Sequence, residues 1–280
     1  MGRLNKRLLL VVSVAMAPAI GLQAYACMHA RHGRQHLAEA EALRLVSFLT
    51  IDGQRIAEDA RQALDGVASV TSVQDGDAED CQRTLASLPR MAPRFIAATA
   101  TGLDGQAICG PAPPAGAPVL PDRAGSSTTT PAGGFVIGGY EEGWLRLQPA
   151  LLMAEPFRDR AGRVAGLLLL ALSAEWLESE IERMPWPPGA EAAIMDRTGT
   201  VVAYHPGGGH HAGGHAPPDA LDGIRGDVPG TGTMRGIDGA ERLVAYKPLG
   251  APPEGLLIAV GLVRTRPPRV RSGLAGRGWH

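Results

Sequence analysis

The chain is 280 residues long with 27 basic and 28 acidic side chains, a formal net charge of -1. That balance excludes a general nucleic-acid binder, which needs a basic excess against phosphate. The length allows one large domain or two small ones with real cores. Gly and Pro make up about a fifth of the chain and aromatics only 4%, which favours turns and hairpins over an all-helical bundle. Three cysteines exclude a disulfide-dense mini-scaffold and a single-chain four-cysteine zinc site.

Residues 1–7 form a basic start containing Arg3, Lys6 and Arg7, followed by an uncharged apolar run of 19 residues from Leu8 to Ala26. As a helix that run reaches ~28 Å, about one bilayer core, so residues 8–28 are read as a transmembrane anchor. Basic residues before the span hold the N-terminus in the cytoplasm and place the chain beyond the span outside it. Ala24-Tyr25-Ala26 also has the small-x-small form of a signal-peptide cleavage site, and Cys27 directly after it raises lipidation. In an exported chain Cys81 and Cys109 can oxidise to a disulfide; the plainer reading is two buried thiols.

From Gln35 to Val73 the spacing predicts a long stalk helix. Val46, Leu49, Ile56, Ala60, Ala63, Val67 and Val70 recur at intervals of three and four between charged residues, with no proline. A narrow apolar stripe on so long a helix suits packing along a domain or along a twin helix, so a homodimer through the stalk is one expectation.

After Asp80 the pattern changes to short apolar strands with Asp-Gly turns: Asp104-Gly105, Asp159 to Gly162, Asp196 to Gly199 and Asp238-Gly239. Asp accepts local backbone hydrogen bonds and Gly takes positive φ, which is the chemistry of a hairpin tip. The four tips form two pairs separated by a helical pattern, Ala174 to Arg183, and this suggests a duplicated antiparallel α+β unit. The proline-rich linker Met184-Pro-Trp-Pro-Pro-Gly189 marks the boundary between a lobe at 80–183 and one at 186–262. Residues 110–134 hold six Pro and five Gly and read as a loop; residues 264–280 carry five Arg and no acid and read as a disordered basic tail.

Taken together, these residues resemble a known family. The order of anchor, long helix and two lobes with Asp-x-Gly tips is joined by Asp122-Arg123, Gly134 to Tyr140, Glu155-Pro156 before Asp159-x-x-Gly162, and Ala192-Ala-Ile-Met-Asp-Arg-x-Gly199. The whole looks like a double Cache domain, the PAS-like extracytoplasmic sensor of bacterial histidine kinases, diguanylate cyclases and chemoreceptors. The resemblance covers about residues 35–262. It implies an α+β fold with two PAS-like antiparallel-sheet lobes, a membrane-distal lobe that binds a small ligand, and a membrane-proximal lobe. Two departures stand out. Where many relatives carry an aromatic pair after Asp-Arg, this chain has the polar Ala124 to Pro131, and its late apolar run Gly255–Val263 is too short for a second span.

Arg123 is the leading ligand-binding candidate, because a permanently charged fork suits a carboxylate. Tyr140 and Trp144, on the strand facing that loop, could supply a hydroxyl and an aromatic wall. Asp159 could hold an amine, although it reads first as the turn residue. The ligand is therefore expected to be a small carboxylate or amine. His210, His211 and His215 lie among glycines that do not preorganise a metal site, and His29, His32 and His36 read as a polar juxtamembrane turn, so no metal and no cofactor are expected. No nucleophile elbow, P-loop, zinc-protease or dinucleotide motif occurs, so the chain itself reads as a non-enzyme.

Overall fold

A computed structural model of the protein describes residues 3–113, 134–145, 148–207, 211–224, 228–250 and 255–263. Before His36 only the side chains of Met16 and Gln23 are described, and those of 143–145 and Asp219 lie outside the described residues. One helix, α1, runs from Arg3 to Ala68. It buries Val46, Leu49, Ala60 and Val67 of the stripe that the sequence spacing marks. Ala42 and Leu64, which that spacing does not single out, are buried with them, while Ile56 and Ala63 are half-buried. The helix ends earlier than the spacing predicts. Val70 takes an extended conformation, Gln74 Nε2 donates to the Ala68 carbonyl at 3.1 Å, and a separate turn, α2 (Thr71–Gln74), comes next. Among the described residues no helix is long and apolar enough to cross a membrane. Apart from Met16 and Gln23, the side chains of the 8–28 run lie outside them.

The strand-like character expected after Asp80 begins only at Phe95. Two short helices intervene, α3 (Ala78–Leu85) and α4 (Leu88–Met91). Asp77 starts α3 by accepting the Glu79 and Asp80 backbone N–H groups, and Glu79 and Asp80 lie favourably in its first turn. Cys81 on α3 is joined by a disulfide to Cys109.

Beyond them the chain forms two five-stranded antiparallel sheets. The first contains β1 (Phe95–Gly102), β2 (Ala107–Cys109), β3 (Val136–Leu145), β4 (Gln148–Arg158) and β5 (Val164–Ser173), in the spatial order β2-β1-β5-β4-β3. The second contains β6 (Glu191–Asp196), β7 (Val201–His205), β8 (Gly230–Arg235), β9 (Glu241–Leu249) and β10 (Leu256–Val263), in the order β7-β6-β10-β9-β8. The two orders are the same, so the chain contains one topological unit twice. Helix α5 (Ala174–Glu182) joins them; Ser173 Oγ accepts the Trp176 N–H at its start, and Trp186 Nε1 donates to the Ile181 carbonyl at its end. In the second unit α6 (Pro218–Ile224) precedes β8.

The four turns singled out at Asp104, Asp159, Asp196 and Asp238 are all hairpin tips. Gly105, Gly162, Gly199 and Gly239 have positive φ, and each Asp accepts a backbone N–H two residues ahead. Their pairing differs from the sequence reading. Asp104 and Asp196 occupy the same turn of the repeated unit, but Asp159 joins β4 to β5, whereas Asp238 joins β8 to β9, one strand earlier in the repeat. The turn equivalent to that of Asp159 lies between β9 and β10.

Helix α1 lies against both sheets. A Cβ at Gly53 would stand 2.8 Å from Leu249 and 3.6 Å from Ile258, so the helix backbone closely approaches the second sheet. Arg94, just before β1, reaches Asp59 of α1 at 2.8 Å. One apolar core therefore continues from the first sheet through α1 to the second.

The disulfide closes a 28-residue separation between α3 and the edge strand β2. Replacing both cysteines by serine should lower stability by roughly 3–4 kcal/mol in the chain-entropy account, read as a reduced urea midpoint in the folded chain, with little change in far-ultraviolet circular dichroism.

Candidate ligand-sensing site

Each sheet has one face on α1 and one face turned away from it. In the first unit the outer face carries Ala97, Thr99, Thr101, Val136, Ala150, Leu152, Ala154, Leu167, Leu169 and Ala171, all buried. Its side chains are mostly small. Its polar groups among the described residues include two hydroxyls, Thr99 Oγ1 donating to the Pro111 carbonyl at 2.6 Å and Thr101 Oγ1 donating to the Leu167 carbonyl at 3.3 Å. They also include the half-buried carboxyl of Glu141, which pairs across the strand with Ala150 and is pushed up by burial. The edge strands β2 and β3 are joined through residues 110–135, which contain Arg123.

The equivalent face of the second unit is filled. Met195, Tyr204, Leu221, Ile224 and Leu257 form its core with α6, leaving a cavity of about 30 Å³. Ligand pockets run to several hundred Å³, so this cavity suits a water or two. At its edge stand Glu191 and Arg242, both side chains 7% exposed and 2.7 Å apart. Arg242 also grips Asp238 with both terminal nitrogens, while Glu191 accepts the Ile237 N–H at 2.7 Å. Hydrogen bonds from Arg242 hold the Asp238 carboxyl down to about 2. Burial pushes Glu191 up despite its partners, and burial likewise raises the Tyr204 hydroxyl. A buried guanidinium closed between two carboxylates is a structural lock with little left to offer a ligand.

The residues singled out from the sequence are dispersed. Arg123 and His210 lie outside the described residues, and Trp144 is placed in β3 by its backbone alone. Asp159 serves its own turn: its carboxylate accepts the Ala161 and Arg163 backbone N–H groups and pairs with the Arg163 guanidinium at 2.8 Å, which keeps its carboxyl below the ordinary range. His211 tilts against Tyr204 with ring centroids 4.4 Å apart, and His215 Nδ1 is 3.5 Å from Thr200 Oγ1. Among the described residues no three His, Cys, Asp or Glu side chains are grouped to hold a metal.

Tyr140 does not share the outer sheet face with Val136, although simple alternation along β3 implies it. The β3–β4 register slips by one residue between Ile137 and Tyr140, at Gly138-Gly139. That extra residue turns Tyr140 to the side of Leu151 and the α1 core. Its ring lies beside Gly213 of the second unit, where a Cβ would be 3.0 Å from the hydroxyl.

Glu155, noted in sequence only as part of Glu155-Pro156, is the most perturbed carboxyl of the first unit. It projects from β4 toward α1, where Arg61 bridges Glu58 at 2.7 Å and Asp65 at 3.1 Å. Its buried Oε2 has no hydrogen-bond partner among the described residues. Burial, with the Asp65 carboxylate adding to it, pushes its carboxyl up to about 7 against the partial relief of Arg61. Its signal in the sequence is an acid at a position of β4 that otherwise alternates Leu151, Met153 and Phe157 toward the helix.

No family model matches the chain, and no curated protein matches it in sequence. Its fold is shared with solved sensory domains. The extracellular domain assigned to histidine kinase rpHK1S-Z16 is similar with a TM-score of 0.64 at 15% identity, over 82% of this chain and 96% of that one. The ligand-binding domain of the Pseudomonas aeruginosa amino-acid chemoreceptor PctC, solved with GABA, gives 0.55 at 19% identity over 80% and 99%. A domain of a sensory box/GGDEF family protein from Vibrio parahaemolyticus gives 0.55 at 15% over 81% and 96%. The chain thus shares the two-lobe α+β fold of these extracellular ligand-binding sensor domains, and these neighbours are sensory rather than catalytic.

Glu155 gives a pH signature. Its folded carboxyl titrates near 7 and its unfolded one near 4.5, so its full stabilising effect is present below about 4.5 and is lost as pH rises through 7. Unfolding midpoints measured from pH 4.5 to 8 should fall across this window, and Glu155→Gln should flatten that fall and raise the midpoint at pH 8.

Proposed function

We propose that the chain is the extracytoplasmic small-ligand sensing region of a bacterial membrane signal-transduction protein. Residues 8–28 act as the inner-membrane anchor and the ectodomain faces the periplasm. The observation that carries this reading is the repeated sheet unit threaded on one continuous helix, the architecture shared with extracellular ligand-binding sensors. The unit within 80–183 is the membrane-distal, ligand-binding lobe, and the unit within 186–262 is the membrane-proximal one. The contrast between their outer faces supports this division, since the second is packed beneath α6 and locked by Arg242, while the first has no such helix over it among the described residues.

In this reading the ligand is a small carboxylate or amine held over the outer face of the first sheet. Arg123 offers its guanidinium to a carboxylate, and Trp144 offers a wall. Tyr140 and Asp159 have other work at the seam and the turn. The neighbour solved with GABA supports a ligand of that size and chemistry. Binding favours one arrangement of strands and stalk helix over another, which requires different affinities for the two. Leu37, Phe48 and Ile51 are more than half exposed on α1, on the side away from the buried stripe, and supply an apolar surface for a homodimer through the stalk. The output is of histidine-kinase or diguanylate-cyclase type.

Ala24-Tyr25-Ala26 favours one alternative, a secreted or periplasmic small-molecule or metal-binding protein with a cleaved signal peptide. A thermal-shift series with small amino acids, monocarboxylates and amines tests the function. At least one should raise the melting temperature of the purified chain, and Arg123→Ala should remove that shift while leaving the ligand-free midpoint in place. Mature protein in the inner-membrane fraction with residues 1–26 intact supports the anchor, and a soluble form beginning at Cys27 supports the alternative.

A further inference from the structure

The two sheets meet along an edge that the repeat alone does not require. Asp159 and Asp238 direct their carboxylates into their own hairpins. Asp196 differs. It is 5% exposed; its Oδ1 accepts the Thr198 and Thr200 N–H groups at 2.9 Å and the Thr198 hydroxyl at 2.6 Å. Its Oδ2 is left to reach into the other unit, where it accepts the Tyr140 N–H at 3.3 Å.

The Gly138-Gly139 bulge makes this contact possible. As an edge strand, β3 would ordinarily leave backbone groups to solvent. Here the carbonyl of Ile137, just before the bulge, accepts the Gly255 N–H at 2.8 Å from the turn that leads into β10. The N–H of Tyr140, just after it, goes to Asp196. A Cβ at Gly139 would lie 3.4 Å from Asp196 Oδ2, an ordinary contact, so only a side chain with branches beyond Cβ would crowd the carboxylate. One strand of the first unit thereby holds two turns of the second, β6–β7 and β9–β10. The latter adjoins Leu249, which contacts α1 at Gly53.

We propose that this edge is an inter-lobe clasp, with Asp196 as its positioning residue. It passes displacement of β3 in the first unit to the second sheet directly, in parallel with any movement carried by α1. This inference rests on the reading of the first unit as the sensing lobe, because β3 is the strand into which the 110–135 segment leads.

Residue-resolved hydrogen exchange on the full chain in detergent, with no ligand added, tests the clasp independently of that reading. In the unmodified protein the Tyr140 and Gly255 amides should exchange as slowly as amides inside the sheets. Asp196→Asn keeps an Oδ1 acceptor for the turn but points an amide at the Tyr140 N–H. It should speed exchange at Tyr140 and Gly255 by about tenfold while Thr198 and Thr200 stay protected. Gly139→Val, which leaves the Asp196 turn untouched and pushes β3 off it, should give the same pattern. The clasp is overturned by fast exchange at Tyr140 and Gly255 in the unmodified chain, or by equal loss at Thr198 and Thr200. It is also overturned if neither variant changes Tyr140. Failure of every small molecule to stabilise the protein would instead remove the sensing reading and leave these exchange results standing.

Discussion

Burial of one side of α1 against two sheets is the constraint on which the rest of the molecule depends. Val46 and Leu49 lie in the stretch of helix beside the second sheet, and Leu64 and Val67 in the stretch beyond it. Each such side chain removed from water contributes roughly 1.5–3 kcal/mol. Neither sheet can bury its inner face without the helix, and an isolated helix has no reason to keep its stripe dry. The units are therefore parts of one cooperative body: α1 runs along one side of both sheets, and β3 closes a second contact between them.

The same topological unit has been used in two ways. In the second copy the outer face is packed with Met195, Tyr204 and Leu257 beneath α6, and an ionic lock fixes β6 to β9. Two carboxylates around one guanidinium cost desolvation, so this arrangement specifies geometry more than it adds stability. In the first copy the same face mixes Ala97, Ala150, Ala154, Ala171, Thr99 and Thr101 with Val136, Leu152, Leu167 and Leu169. In the first unit that face is buried without a helix equivalent to α6 among the described residues. Glu155 places a half-buried carboxyl between the first sheet and the spine, and burial there pushes it up to about 7.

Much of this was legible in the sequence because it arises from local chemistry. Asp followed closely by Gly between two apolar strand-like runs makes a hairpin tip, whereas Asp52-Gly53 and Asp65-Gly66 sit inside α1, and the stripe from Val46 to Val67 comes from helical spacing alone. The two-lobe α+β plan came from the order of these signals together with a family resemblance. What escaped the sequence depends on long-range register. Gly138-Gly139 reads as strand continuation, yet the added residue turns Tyr140 to the opposite side. The four tips read as two equal pairs, but Asp159 and Asp238 belong to different turns of the repeat, which only the strand order reveals. Strand β8, Gly-Thr-Gly-Thr-Met-Arg, lacks the apolar alternation that marks its neighbours, and α3 and α4 are too short for a periodic pattern. Asp196 was visible as a turn residue, whereas its partner is 56 positions away.

The last strand of each unit, β5 or β10, is also the middle strand of its sheet. Tension applied along either one is therefore resisted by hydrogen-bonded ladders on both sides, loaded in shear, and cannot peel the sheet open one bond at a time. A stretch transmitted through β5 into α5, or along β10, would shift a whole sheet before it tore a strand loose. The unit is mechanically suited to move as a stiff plate.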